Sequence, residues 1–286
     1  MQPSLIRHAM STAVVAALLV WVAPFCAVAA ESAPAADELL LFQEIPSVFS
    51  ASKYEQKVTE APSAVSIITA AEIRKYGYRT LADLLRSLRS FHLSFDRSTE
   101  LLGVRGFNRP GDSNSRVLLL VNGHRINDNI FQAAQVNTSF ILDVDLIDRI
   151  EVVRGPSSSL YGNSAFFAVV NVITRRGRDL KGAEVAAEAG SHESWRGRFS
   201  YGERFPGGME MLLSGTRFES DGNGRLYYPE FDSPDSNHGV AEDADRNEFG
   251  SLFASLSWFD FTLEGAYVDW EKRAPTAPYG TVFNDP

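Results

Sequence analysis

The chain has 286 residues, of which 44% are hydrophobic, and a formal net charge of −9 at pH 7. Residues 54–177 carry 15 Lys and Arg against 12 Asp and Glu, a net charge of +3, whereas residues 178–286 carry 10 against 20, a net charge of −10. No basic stripe alternates with aromatic residues, which argues against a nucleic-acid-binding protein. The uneven charge indicates two regions with different surroundings.

The first thirty residues have the layout of a secretory signal peptide. Arg7 gives a basic start, the apolar run "AVVAALLVWVAPF" follows, and small residues precede cleavage after Ala29 or Ala30. This run is shorter than the roughly 20 residues that a transmembrane helix needs. The single cysteine, Cys26, lies inside the segment. The exported chain is therefore expected to contain neither disulfides nor cysteine metal ligands.

Residues 31–53 are predicted to be an extended lead-in, and residues 54–177 an α+β domain of usual single-domain size. After a strand at 64–68, Thr69 and Glu72 have the spacing of a helix capping box, and Gly77 is a helix stop. Thr80 begins a second helix by the same pattern. The apolar face expected for that helix consists of Leu81, Leu84, Leu85 and Leu88.

Short β-runs follow in the same region. Asn122-Gly123 is a strong hairpin signal after the run "RVLLLV". The Gly- and Ser-rich segment of "IEVVRGPSSSLYGNSAFFAVVNVITRRG" (150–177) lacks the Gly-Lys-Ser/Thr ending of a phosphate-binding loop and the Gly-x-Ser-x-Gly frame of a nucleophile elbow. It is predicted to be a corner between two strands.

Residues 178–286 show longer segments of period two. We predict five antiparallel strands at about 183–190, 195–204, 209–218, 248–257 and 260–270. Segments of about ten residues with apolar and polar faces and aromatic residues near their ends are typical of an outer-membrane β-barrel, although a soluble β-sandwich has similar strands. Connections near 205–208 and 258–260 are short, whereas two of the three alternate ones are long, which favours the barrel.

Metal and catalytic signals are weak. The five histidines form neither an HExxH pair nor another close ligand spacing, so no metal site and no cofactor are expected. The acidic loop 219–247 does not match the EF-hand template, and its composition is compatible with a solvated loop or with calcium binding. No catalytic triad is evident, and the chain is not expected to be an enzyme.

Two arginines stand in apolar surroundings. Arg105 in "GVRGF" and Arg154 in "VVRGP" each lie between a β-branched residue and a glycine. Because a buried charge needs a partner, they are expected either to dock against carboxylates elsewhere or to reach solvent at a strand edge.

Three motifs resemble the plug domain of TonB-dependent outer-membrane receptors, closest to colicin-I-receptor-like and vitamin-B12-receptor-like members. They are "EAPSAVSIITAAEIRKYGYRTLADLLRS", "GVRGFNRPGDSNSRVLLLVNGHRIND" and "RIEVVRGPSSSLYGNSAFFAVVNVITRRG". The resemblance implies an α+β plug domain (54–177) followed by the N-terminal strands of an antiparallel transmembrane β-barrel (178–286). Because only about five strands are predicted, the barrel is incomplete in this chain, and we expect the chain to be an N-terminal fragment.

The resemblance also implies functional positions. Arg105 and Arg154 match the family arginines that lock the plug to barrel glutamates. The segment 44–52 occupies the place of the TonB box, which pairs with TonB by strand addition, and plug loops near 107–114 and 127–132 face the ligand. The candidate box residues are Glu44, Ile45, Pro46, Ser47, Val48 and Phe49. The candidate ligand-facing residues are Phe107, Asn108, Arg109, Asp112, Asn129 and Phe131.

The function implied is active uptake of a scarce ligand, such as a ferric siderophore or cobalamin, across the outer membrane of a Gram-negative bacterium. The expected partners are TonB with its inner-membrane energising complex, outer-membrane lipid, and a metal chelate or cobalamin-like cargo. A soluble periplasmic plug-like binding or signalling module without transport activity is the alternative. A receptor would need detergent for extraction, whereas the soluble module would appear in osmotic-shock fluid.

Overall fold

A computed structural model describes residues 47, 48, 50, 56, 57, 59, 63–109 and 111–284 of the chain. The predicted signal peptide and residues 31–46 of the lead-in lie outside this part. Within it, no helix is both long and apolar enough to cross a membrane.

The α+β domain contains nine strands among its described residues. They are β1 (Ser47–Val48), β2 (Gln56–Lys57), β3 (Ala64–Thr69), β4 (Phe91–Phe95), β5 (Glu100–Val104), β6 (Val117–Val121), β7 (His124–Arg125), β8 (Ile147–Arg154) and β9 (Ala168–Thr174). Five of them form one sheet in the order β3-β8-β9-β6-β7, in which only β6 and β9 are parallel. The pairs β1–β2 and β4–β5 are separate antiparallel ribbons.

The structure confirms the two predicted helices near the start of the domain, together with their caps. In α1 (Ala70–Tyr76), Thr69 and Glu72 form a reciprocal capping box, and Gly77 closes the helix with φ +66°. In α2 (Leu81–Arg86), Thr80 and Asp83 do the same. The first three predicted leucines of α2 are fully buried, and Leu88 packs partly buried against the same core.

Two one-turn helices were not predicted. They are α3 (Ser158–Tyr161), inside the segment expected to be a plain corner, and α4 (Gly177–Leu180), which follows the last strand of the domain. The corner still joins the neighbouring antiparallel strands β8 and β9. Four-residue helices lack the periodic pattern by which longer helices are identified. The 3-10 turns are Val144–Leu146, Pro229–Phe231, Pro234–Gly239 and Pro278–Gly280.

The five-stranded sheet of the α+β domain is covered on both faces. One face packs on α1, α2 and the β4–β5 ribbon through Ile150, Val152 and Val170. The other face carries a smaller apolar cluster, in which Val48 from the N-terminal segment packs with Leu118, Leu120, Val153, Ala165 and Val169. The chain ahead of β3 therefore completes the domain.

A second sheet, called the wall, follows the α+β domain. Its strands are β10 (Gly182–Ala189), β11 (Trp195–Arg204), β12 (Glu210–Ser220), β15 (Asn247–Trp258) and β16 (Phe261–Lys272), antiparallel in that order. The long connection after β12 contains the ribbon β13 (Arg225–Tyr227) with β14 (Val240–Glu242). These bounds agree with those of the five predicted strands to within two residues. In the described residues the sheet does not close on itself.

The wall strands alternate as predicted. Their inner face is mostly polar and is buried against the α+β domain, where Leu212 and Phe253 are its large apolar members. The buried polar residues of this face are Arg196, Arg198, Ser200, Ser214, Thr216 and Ser251. Their outer face exposes large apolar side chains: Val185, Phe199, Leu213, Leu252, Phe261, Leu263 and Tyr267. An apolar outer face with a polar interior is the arrangement of a membrane-spanning barrel wall rather than of a soluble sandwich.

The junction between domain and wall is tightly packed at Gly177. A Cβ atom placed on this glycine would clash with the Met211 carbonyl and would lie 2.8 Å from the Glu203 carbonyl oxygen. Beside it, Arg178 Nε donates to Glu210 at 2.9 Å. The chain leaves the α+β domain here and enters β10.

Candidate functional site

Three loops of the α+β domain meet at one end of its sheet. The loops 105–116 and 155–167 enter the parallel strands β6 and β9, and the loop 126–134 follows β7, which returns antiparallel to β6. Contacts join them: Phe107 stacks on Phe167 with centroids 5.7 Å apart, and the Ala134 amide donates to the Ser113 carbonyl at 3.1 Å. We call this end the apical surface.

In the first apical loop, the predicted ligand-facing residues behave differently from one another. Phe107 and Arg109 are exposed. Asn108 instead donates to Ser94 Oγ at 3.0 Å, and Asp112 pairs with Arg116 at 3.1 Å. These last two therefore hold the loop in shape.

Asn114, which was not predicted, anchors this loop. The residue is buried, and its φ of +60° is one that asparagine tolerates better than most residues. Its side chain accepts from the Leu102 amide at 2.7 Å and donates to the carbonyls of Glu100 and Ala134 at 2.9 and 3.1 Å. A cavity of about 120 Å³ lies above it, lined in part by Phe107, Arg109 and Arg116.

The second apical loop is organised by Asp128. Its carboxylate accepts from the amides of Ile130, Phe131 and Ala133 at 2.8, 2.7 and 2.6 Å. These bonds, that from Phe131 foremost, hold the pKa of Asp128 below the usual value for aspartate. The loop thereby projects Phe131, which is 70% exposed, and Ile130, which was not predicted. The predicted Asn129 is also exposed.

The apical surface thus combines aromatic rings with arginines. The Arg116 guanidinium lies 5.8 Å from the Phe167 ring centroid, within cation–π range, and Arg125 donates to Ser164 Oγ at 3.0 Å. Together with the exposed Arg109, these groups can contact a ligand that has both apolar and anionic parts. Phe166 is exposed nearby and was not predicted.

Of the candidate TonB box, only Ser47 and Val48 lie among the described residues; Glu44, Ile45, Pro46 and Phe49 do not. Ser47 and Val48 pair with Lys57 and Gln56. Val48 is fully buried against the sheet. The end of the candidate segment is therefore docked on the domain.

Ser50 fixes this segment to the centre of the sheet. Its amide and hydroxyl both donate to Glu151 Oε2, at 2.9 and 2.7 Å. The Asn171 side-chain amide donates to Ser50 Oγ at 2.9 Å, and the Tyr161 hydroxyl donates to the Ser50 carbonyl at 2.9 Å. Glu151 and Asn171 are register partners on β8 and β9. We call these four residues the N-terminal anchor.

Glu151 is the unusual member of the N-terminal anchor, because its side chain has no exposed surface. A buried carboxylate is costly unless it is hydrogen-bonded and paired. Here the two Ser50 donors and the Arg149 Nε–H, at 3.1 Å, supply those partners. A charged residue inside the apolar run "IEVV" was the sequence signal that could have identified this position.

The two predicted locking arginines come close to one another. Arg105 lies just after β5 rather than within a strand, in a turn with φ +56°, and is exposed. Arg154 ends β8 and donates to the Arg89 carbonyl at 3.3 Å, with its Nε buried and unbonded. A Cβ placed on Gly155 would lie 3.9 Å from Arg105 Nη2. Neither guanidinium forms an ion pair with a carboxylate of the described residues.

The acidic loop between β12 and β15 is held by Asp245. Lys272 Nζ lies 2.6 Å from Asp245 Oδ1, and Asn223 donates to Oδ2 through its backbone and side chain. Burial opposes ionisation of Asp245, but these hydrogen bonds outweigh it and lower the pKa of the carboxyl. Among the described residues, no group of three or more His, Cys, Asp or Glu side chains is arranged to hold a metal ion.

These features define a class of protein. A small α+β domain lies against the polar face of an amphipathic antiparallel wall, with exposed loops at one end and its own N-terminal segment docked on the sheet. That is the arrangement of a plugged outer-membrane receptor. Comparison with known proteins agrees, because residues 57–169 match the TonB-dependent Receptor Plug Domain.

Relatives extend the match beyond the plug. The chain is 29% identical over 232 residues to the Vitamin B12 transporter BtuB of Vibrio vulnificus, which covers 76% of this chain and 35% of the relative. It is 29% identical over 133 residues to the iron-regulated outer membrane virulence protein of Vibrio cholerae, covering 45% and 20%. The chain thus spans about a third or less of the length of these curated relatives.

The fold is also that of a solved receptor. The ferripyoverdine receptor of the Pseudomonas aeruginosa outer membrane superposes with a TM-score of 0.59 at 14% identity, covering 79% of this chain and 27% of that one. The chain thus contains a TonB-dependent receptor plug domain and is similar to these receptors through the wall strands that follow it. The predicted fold class is confirmed, and the predicted outer-membrane location agrees with that of the relatives.

Proposed function

We propose that the protein is a receptor for active, TonB-driven uptake of a scarce ligand across the outer membrane. The observation that carries this proposal is the docking on the plug sheet of Val48, within the candidate TonB box, and of Ser50, which follows it. A segment attached to the sheet in this way is sensitive to the conformation of the plug, and a partner that binds the segment can pull on the plug through it. The docked segment and the apical surface belong to one small domain.

Coupling to TonB is assigned to residues 44–49. Strand addition needs free backbone N–H and C=O groups on an extended segment. Exposure of residues 44–49 would supply such a segment, and pulling on it would transmit force through Ser50 to Glu151 on β8 and Asn171 on β9. Transport would depend on a conformational change of the plug, and no bond in the cargo is made or broken.

Cargo recognition is assigned to the apical surface together with the outer loops. Phe107 and Phe131 offer apolar contact, and Arg109 offers a cation. The Asn129 amide adds a polar group on the same loop as Phe131. A metal chelate or cobalamin-like molecule, with a bulky apolar body and anionic groups, matches this combination.

Arg105 and Arg154 are proposed to lock the plug to the barrel. Their proximity and their lack of an ion pair with a described carboxylate support this role. The Arg154 Nε–H is buried without a hydrogen-bond acceptor, which is energetically costly until a carboxylate approaches it. Arg105→Ala and Arg154→Ala are expected to increase the permeability of the outer membrane to large antibiotics.

The test is uptake by cells that carry the gene from its own locus. Labelled cobalamin and a panel of ferric siderophores are offered to the wild type, a deletion strain and an Ile45→Pro strain. Because proline removes an N–H from the strand, Ile45→Pro should abolish uptake at normal receptor level, and Ile45→Val is the matched control. Equal uptake by the deletion strain for every cargo, or recovery of the protein in osmotic-shock fluid, would refute the proposal.

A further inference from the structure

A cluster of buried charges joins the plug to the wall at a place away from Arg105 and Arg154. Two arginines on the inner face of β11, Arg196 and Arg198, are met by two plug aspartates, Asp143 and Asp145, which flank Val144 at the turn before β8. The plug supplies the acids and the wall supplies the bases. This polarity is opposite to the one expected for Arg105 and Arg154.

The contacts within the cluster are short and numerous. Arg196 Nη2 lies 2.6 Å from Asp145 Oδ2 and 3.4 Å from Asp143 Oδ1, and Arg198 Nη2 lies 3.7 Å from Asp145 Oδ2. The hydroxyl of Thr216 on β12 donates to Asp143 Oδ2 at 2.9 Å. Three side chains from two wall strands therefore converge on one short piece of the plug.

Two of the side chains that make these contacts are almost fully buried. The side chains of Asp143 and Arg198 are 1% and 3% exposed. Glu184 and Glu188 on β10 contribute further negative charge, with Glu184 paired to Arg198 and Glu188 Oε1 lying 3.3 Å from Arg196. Buried ion pairs are weak sources of net stability, but the loss of one partner leaves a costly uncompensated charge.

We propose that Asp143 and Asp145, with Arg196 and Arg198, form an electrostatic anchor that keeps this corner of the plug on the wall. We call these four residues the wall anchor. It holds residues 143–146 in place, so remodelling of the plug starts elsewhere, at the N-terminal anchor. Only this last consequence rests on the proposed function.

The experiment measures hydrogen exchange of the purified full chain in detergent, without cargo or TonB. In Asp145→Asn or Arg196→Gln, the amides of residues 144–147 should exchange about tenfold faster or more, because one partner of the pair is lost. The double variant should exchange no faster than the worse single variant, because the coupling is then already broken. Amides of the loop 126–134 should not change in any variant.

The matched control is Arg217→Gln. Arg217 pairs with Glu219 and Glu248 at 2.8 and 2.6 Å, all three lie on the wall, and among the described residues their side chains form no ion pair with the plug. Additive effects of the two anchor variants, or an equal effect of Arg217→Gln, would overturn the proposal. If a single variant fails to reach the outer membrane, recovery of assembly in the double variant supports the anchor and continued failure overturns it. Because no cargo is involved, failure of the uptake test would leave this result intact.

Discussion

Removal of one hydroxyl should release the N-terminal segment from the plug. In Ser50→Ala, the 2.7 Å bond to Glu151 and the 2.9 Å bond from Asn171 are both lost, while the backbone bond to Glu151 remains. A hydrogen bond to a charged group contributes about 1.5–3 kcal/mol. Since about 1.4 kcal/mol is a factor of ten in an equilibrium constant, the released population should rise by about 10- to 150-fold.

The assay uses a cysteine at position 48, where the native valine side chain is fully buried in the docked segment. Cys26 lies in the predicted signal peptide, so the exported Val48→Cys chain is expected to carry a single thiol. Its rate of maleimide labelling in outer-membrane fragments reports the released population when docking and release are fast. Ser50→Ala in this background should therefore be labelled about 10- to 150-fold faster.

The control removes a serine–carboxylate hydrogen bond in another part of the plug. Ser115 Oγ also donates to a carboxylate, Asp112 Oδ1, at 2.6 Å, but at the apical surface. Ser115→Ala should leave labelling at position 48 unchanged. An unchanged rate in Ser50→Ala, or an equal rise in Ser115→Ala, would refute the argument that Glu151 holds the segment through this serine.

Three further outcomes follow from the geometry. The lowered pKa of Asp128 means that its ionised carboxylate stabilises the loop at neutral pH, and that this stabilisation is lost as the pH falls through the lowered pKa. Asp128→Asn should therefore speed amide exchange at residues 130–133 at pH 7, and the protection of these amides should no longer be lost in acid. Gly177→Ala, which meets the carbonyls of Met211 and Glu203, should reduce the receptor level in the outer membrane, whereas Gly265→Ala, with open space around it, should not. Asp245→Asn leaves the buried Lys272 unpaired at a cost of about 3–5 kcal/mol, and faster trypsin cleavage of the 221–246 loop on intact cells would show it.

Elements set by local sequence were predictable. The capping boxes at Thr69 and Thr80 satisfy donors within three residues, and the Asn122-Gly123 turn has φ of +49° and +84°, as its composition indicates. The wall strands follow from alternation alone. In each case the energy that selects the structure lies within a few residues of the signal.

Contacts between distant residues were not predictable. Ser50 and Glu151 are 101 residues apart, and Thr216 and Asp143 are 73 apart. A charge in an apolar strand signals that a partner exists, but it does not identify the partner. Alternation places Arg196 and Arg198 on the polar face of their strand, but the wall anchor needs the folded plug to define it.

Strand β8 connects the three proposed attachment points of the plug. Asp145 of the wall anchor lies just before it, Glu151 of the N-terminal anchor is near its middle, and Arg154 is its last residue. At about 3.3 Å per residue, Glu151 is about 20 Å from Asp145 and about 10 Å from Arg154. A pull on the chain before Ser50 therefore acts on the middle of a strand held at its start by several ion pairs. The hydrogen bonds of Ser50 are the weaker attachment, so they should break before residues 143–146 leave the wall.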